Sequence, residues 1–234
     1  MIFDPVYFML LAPALLFAMW AQWRVRSAFT RANQVPARLS GAEAARLMLD
    51  SNGLESVAIE PVHGFLSDHY DPRQKVLRLS PPVYQGRTAA AVGIAAHEAG
   101  HALQDAFGYA PLVIRNAAVP LAATGSNLAM LIFISGLVLS SFAGVLGLWL
   151  VLAAVVLYGF VVFFQLVNLP VEYDASRRAK VALSEMGVVD SYSAPEVKRV
   201  LDAAALTYVA ATVTAILTLV YMLVRSGLLG GRDD

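Results

Sequence analysis

Residues 119–169, VPLAATGSNLAMLIFISGLVLSSFAGVLGLWLVLAAVVLYGFVVFFQLVNL, decide the fold class. Two runs lie in this stretch, Val119–Ser140 and Gly144–Leu169. Each supplies the roughly 20 apolar residues that carry a helix across a bilayer. Only Ser141–Ala143 separates them, which predicts a tight antiparallel hairpin. Working outward, Pro5–Trp23 and Leu201–Val224 are two further runs of the same kind. Trp20 and Trp23 fall near one end of the first, where aromatic belts sit. The whole composition points the same way. Apolar residues make up 58% of the chain and charged ones 15%, with a mean hydropathy of +0.62. Soluble domains are nearer half apolar and a quarter charged.

The N-terminus has Asp4 where a secretory signal carries basic residues, and Arg24 and Arg26 lie beyond the apolar run. This predicts a retained anchor. The expected organisation is a transmembrane helix at 1–23, an α+β region at 24–118, and a transmembrane hairpin at 119–169. A helical segment at 170–200, a fourth transmembrane helix at 201–224 and a tail at 225–234, frayed at 230–234, complete it. Residues 24–118 carry ten Lys/Arg and residues 170–200 carry five, out of 17. The positive-inside rule places both in the cytoplasm, and Arg24, Arg26 and Arg31 beside the first span give the firmest signal. Seventeen basic and seventeen acidic side chains cancel, so no global field argues for nucleic acid. The absence of cysteine excludes disulfides and thiolate zinc sites.

Within 24–118, Ser40-Gly-Ala-Glu43 is a capping box opening a helix that runs to about Asp50 and closes near Gly53. Val57–Val62 and Lys75–Ser80 have the alternation of short strands, and Asp68–Pro72 between them has the composition of a turn. A helix is expected from about Arg87 to Ala106, apolar and small in its first half and so buried on most sides. Later, Glu172–Met186 is expected to be a helix opening at Glu172. A second capping box, Ser193-Ala-Pro-Glu196, starts a helix that runs on into the fourth span.

The chemistry lies in His97-Glu98-Ala99-Gly100-His101. Helical residues four apart share a face, so both imidazoles can hold one ion. Glu98 turns to the neighbouring face, where it can serve as general base toward a zinc-activated water without being a ligand. A polar cluster at a helix–helix contact is the bland alternative, but two His and a Glu in so apolar a helix are costly without a partner. A catalytic zinc needs a third protein ligand. The extended form of the motif is absent, since Gln104 and Phe107 occupy the positions of its Gly and last His. His63 and His69 are candidates. Glu172 is a better one, because the inferred topology brings it to the same side as His97 and a carboxylate is favourable at a helix N-terminus. Asp68, His69, Asp174 and Arg177 are candidates for orienting ligands or steadying an oxyanion. Arg177, Arg178 and Lys180 form a basic cluster suited to anionic headgroups. Asn127, Gln165 and Asn168 are polar residues in or near spans, expected to face helix partners.

Asp68–Pro72, Leu77–Ser80, Ala96–Ala102, Leu169–Ala179 and Ala204–Ala211 together resemble the YugP-type membrane zinc metallopeptidases over nearly the whole chain. The resemblance implies a bacterial membrane location, one zinc and peptidase activity. More loosely, the chain is similar to the CAAX prenyl protease and stress-response membrane metalloproteases, whose third ligand is a Glu on a later helix. An Asp commonly follows that Glu by four positions there. Ser176 stands at that position here, and Asp174 is the nearest acid.

The expected protein is therefore mainly α, with about four transmembrane helices and a small cytoplasmic α+β unit of the H-E-x-x-H plus Glu type. His97, His101 and Glu172 bind one catalytic Zn2+, and Glu98 is the catalytic residue of an endopeptidase acting on peptide or membrane-protein substrates. The alternative from another class is a membrane adaptor or scaffold with a structural zinc site closed by a fourth protein ligand, for which His69 is the candidate. Substrate is expected to pair with an exposed edge at Lys75–Ser80, immediately before the zinc helix.

Overall fold

The structure, a computed structural model, describes residues 4–64 and 67–229. The expected frayed tail at 230–234 lies outside the described residues. Seven helices and three strands follow in chain order: α1 (Pro5–Ala32), α2 (Gly41–Asp50), β1 (Ala58–Pro61), β2 (His69–Asp71), β3 (Val76–Leu79), α3 (Pro81–Tyr84), α4 (Ala89–Ala106), α5 (Ala110–Leu139), α6 (Gly144–Glu185) and α7 (Ala194–Arg225). Among the described residues the chain is mainly helical with one small sheet. It forms two compact units, and α1, α5, α6 and α7 contribute residues to both.

The first unit holds the residues up to Met19, Ile114–Leu169 and Tyr208 onward. α1, α5, α6 and α7 are each long and apolar enough to cross a membrane. Only 17–33% of the residues in their most apolar windows are buried inside the protein, so most of these side chains need lipid around them. Residues 140–143 link α5 to α6, and a Cβ on Gly147 would meet the backbone nitrogen of Ser140 at 2.3 Å. Side-chain-free glycine therefore lets the hairpin close. A core of Leu11, Phe133, Val151, Ala154, Tyr221 and Met222 ties the spans together. Asp4 accepts a hydrogen bond from the Tyr221 hydroxyl at 3.1 Å and pairs with Arg225 at 3.1 Å. Asn168 accepts from Arg115 Nε at 3.1 Å, and the Gln165 carbonyl accepts from Thr212, so both residues are engaged within the spans.

The second unit comprises Trp20–Val113 and Pro170–Thr207. In α2, Gly41, Ala44, Ala45, Met48 and Leu49 are buried, the spacing of one helical face, and they pack on α4. The Ser40–Glu43 capping box is formed in both directions. α4 opens at an N-cap, Thr88, whose hydroxyl accepts from Ala91 N. Residues Ala89–Ala96 of α4 are buried except Ile94, because neighbours cover nearly every side of so slim a helix.

Four expectations are corrected here. Asp68–Pro72 is not merely a turn: His69–Asp71 forms β2, antiparallel to β3, and the chain reverses at 72–75 instead. Strand β3 is consequently the central strand, in order β1-β3-β2, and pairs in parallel with β1. Both of its edges are occupied, so Lys75–Ser80 offers no free edge to a substrate. Third, the expected helix start at Glu172 does not exist. α6 runs unbroken from Gly144 to Glu185 with Pro170 inside it. Proline costs one ladder hydrogen bond, but Val171, Ala175, Ala179 and Leu183 form a fully buried stripe that keeps the helix going. Last, Ser193 and Glu196 do not form a reciprocal box. The Ser193 hydroxyl donates to Asp190 Oδ1 at 2.8 Å, and Glu196 is taken by Arg31 and Arg199, whose charges outcompete a backbone amide.

Candidate metal centre

A geometry able to hold a metal is assembled by α4 and α6. His97 and His101 lie one turn apart on α4, their rings edge to face with centroids 4.9 Å apart. Opposite them Glu172 projects from α6 and is 3% exposed. Its Oε2 lies 3.2 Å from His97 Nε2 and 3.6 Å from His101 Nε2. The approach of the two helices depends on Gly100. A Cβ there would meet the Ala175 carbonyl oxygen at 2.7 Å, so only glycine lets α6 come this close.

His97, His101 and Glu172 form a group able to hold a metal ion, with all ligand atoms within 4.8 Å of one another. A tetrahedral zinc with bonds of about 2.0–2.2 Å sets its ligand atoms roughly 3.3–3.6 Å apart, close to the two separations seen. The residues therefore fit zinc. The hydrogen bonds behind the ligands strengthen the fit. Gln104, fully buried, donates from Nε2 to the Val171 carbonyl at 2.8 Å and to Asp174 Oδ2 at 3.0 Å. Both partners are pure acceptors, so the amide has one orientation, and its Oε1 faces His101 Nδ1 at 2.9 Å. That oxygen can only accept. His101 must then carry its proton on Nδ1 and turn the Nε2 lone pair toward Glu172, where an ion would sit. The Ser176 hydroxyl stands 3.0 Å from His97 Nδ1 and holds that ring in place, although a hydroxyl can donate or accept and so does not fix its tautomer. Asp174 in turn is held by Arg178 Nε at 2.5 Å and by Arg177.

The local field favours a cation. Burial works against a charged His101, yet the hydrogen bond a protonated ring donates to Glu172 and the charge of Glu98 outweigh it and raise the imidazole pKa. Glu98 is not one of the three grouped residues. Burial raises its carboxyl pKa, against the opposing pull of His97 and His101, while the charges of Glu172 and Asp68 push it further up. A carboxylate so placed takes and returns protons more readily than an exposed one.

Of the other sequence candidates, Asp174 and Arg177 lie behind Gln104, while the two remaining histidines lie outside the group. His69 is exposed and its Nδ1 meets the Ser67 carbonyl at 2.7 Å; His63 is exposed as well, and neither belongs to the group. Asp68 accepts from the Ser80 backbone N at 2.7 Å and from its hydroxyl. In the Arg177-Arg178-Lys180 cluster the two arginines bind Asp174, and Lys180 binds Asp202 at 2.8 Å. Gln104 was missing from the sequence candidates as an orienting group. The signal for it existed, because residue 104 follows His101 by three positions and so shares its helix face.

The model of the family described as "Putative neutral zinc metallopeptidase" matches residues 7–227. The chain is also similar to a protein of Bacillus subtilis (strain 168) named "Putative membrane protease YugP", 42% identical over 231 residues, which cover 98% of this chain and 99% of that one. No solved structure matches. With a near full-length match on both counts and a largely buried His-His-Glu group suited to zinc, the chain belongs to this zinc metallopeptidase family.

Proposed function

We propose that the protein is a multi-pass membrane zinc endopeptidase with its site on the cytoplasmic side of the inner membrane. His97, His101 and Glu172 hold one catalytic zinc, and Glu98 is the general base. The observation that carries this reading is the three-member ligand set with Glu98 next to it in sequence. Among the described residues no fourth His, Cys, Asp or Glu joins the group, and His69 is exposed with Nδ1 on the Ser67 carbonyl, which disfavours a closed structural site. When bound, zinc supplies a Lewis acid for the peptide carbonyl and lowers the pKa of water to about 7. Gln104 and Ser176 fix the two imidazoles, and Asp174 with Arg178 fixes Gln104. Glu98 removes the proton of the attacking water and then delivers it to the departing amine, so the carboxylate ends unchanged. The cytoplasmic placement is supported by the fifteen Lys/Arg in residues 24–118 and 170–200. The test is purification in detergent with metal analysis and a peptide-hydrolysis assay. One zinc per chain is expected, with hydrolysis abolished by a chelator and restored by zinc. Hydrolysis that survives complete zinc removal would overturn the proposal.

A further inference from the structure

α1 and α7 enclose a pocket of about 440 Å³ whose chemistry the peptidase does not use. Arg24, Lys198 and Arg199 line it together with Asp202, Ala203 and Leu206. The charges there do not balance. Asp202 is shared by Lys198 and by Lys180, and Glu196 is shared by Arg199 and Arg31. Four cations thus divide two carboxylates. Arg24 has no carboxylate partner among the described residues; its guanidinium lies 5.7 Å over the Trp20 ring. The neighbourhood therefore carries a surplus of positive charge with one cation wholly uncommitted to an acid.

The position selects the ligand. Arg24 directly follows the apolar run Pro5–Trp23 on α1. Trp20 and Trp23 are 46% and 62% exposed, the arrangement of an aromatic belt at the headgroup layer. On α7, Ala203 and Leu206 lie just inside the apolar run that begins at Leu201. Cationic side chains from both helices and the apolar Ala203 and Leu206 thus share one pocket, at a depth where phosphate esters and acyl chains meet. We propose that this pocket binds an anionic phospholipid, with the headgroup phosphate on Arg24, Lys198 and Arg199 and the first part of the acyl chains along Ala203 and Leu206. A zwitterionic lipid is disfavoured because its ammonium group would find only Asp202, which two lysines already occupy. The inference rests on α1 and α7 crossing the membrane and is independent of the peptidase, so its failure leaves the zinc reading untouched.

The experiment is isothermal titration of the full chain, in non-ionic detergent, with short-chain phosphatidylglycerol, phosphatidylcholine and glycerol 3-phosphate. Arg24→Gln breaks no ion pair. Lys198→Gln leaves Asp202 paired with Lys180, so both variants keep a partner for every carboxylate. Arg73→Gln, at an exposed arginine in the β2–β3 turn, is the control of equal charge change. Phosphatidylglycerol is expected to bind at least tenfold more tightly than phosphatidylcholine. Arg24→Gln and Lys198→Gln each weaken it about fivefold, Arg73→Gln leaves it unchanged, and glycerol 3-phosphate does not displace it. Equal affinity for the two lipids, unchanged binding by both pocket variants, or an equal loss in Arg73→Gln would overturn the proposal. Displacement by glycerol 3-phosphate at the lipid's own concentration would also overturn it, by showing a site for soluble phosphate esters.

Discussion

At the scale of single residues, the candidate ligands and the groups behind them are expected to make separable contributions. Glu172→Ala and His101→Ala each remove a candidate ligand atom, whereas His63→Ala alters an exposed side chain outside the group. Zinc titration against a competing chelator is expected to show large losses for the first two and none for the third. Full zinc affinity in Glu172→Ala, with loss in His63→Ala, would reassign the third ligand. Gln104→Met keeps the volume of the side chain but cannot accept from His101 or donate to Asp174. It is expected to weaken zinc by about 10–100-fold, a smaller effect than losing a ligand. Unchanged affinity would mean that Gln104 only satisfies its neighbours. That His97 and His101 share one helix face was legible in the sequence because i, i+4 on a helix is a geometric statement in itself. Gln104 and Ser176 entered that reading only as departures from known patterns, since a hydrogen-bonding role shows itself only when the partner's direction is known.

At the scale of elements, the α4–α6 approach is the critical contact, and two glycines of α4 measure it. A Cβ at Gly100 meets backbone, the Ala175 carbonyl oxygen at 2.7 Å, and α6 must move. A Cβ at Gly93 meets a side chain, Val197 Cγ1, at 3.3 Å, which yields by a small rotation. Gly100→Ala is therefore expected to cost about 1–3 kcal/mol and to weaken zinc together with stability, while Gly93→Ala costs less than half of that. Thermal denaturation with and without zinc decides it, and equal effects would show that helix approach is not what limits the site. The sequence showed α2 and α4 well, because a capping box and a buried small-residue run are local signals. It mistook His69–Asp71 for a turn because Asp and Pro flank a strand only three residues long, held in place by pairing with β3 rather than by its own propensity. It broke α6 at Pro170 for a similar reason: local proline chemistry was visible, the buried stripe Val171-Ala175-Ala179-Leu183 was not. Glu172 survives as a candidate ligand although the helix-terminus argument for it does not.

At the scale of the whole molecule, four apolar runs and the charge distribution were readable without coordinates, because hydrocarbon thickness and loop charge act on sequence directly. The family resemblance was readable too, and the near full-length matches bear it out. The meeting of Glu172 with His97 was expected from topology, although 71 residues of chain number separate His101 from Glu172; the close approach of α6 at Gly100 was not. The proposed orientation predicts that cytoplasmic reporters fused after residue 110 or residue 190 are active and periplasmic ones silent; the reverse pattern would put the site outside the cell. The central claim, that this chain hydrolyses peptides with Glu98 as base on a His97-His101-Glu172 zinc, is tested most directly by Glu98→Gln, measured for zinc content and peptide hydrolysis in the same preparation. The account predicts zinc retained at the wild-type level and hydrolysis reduced by about 10²–10⁴-fold. Wild-type turnover in a variant that holds its zinc would contradict it.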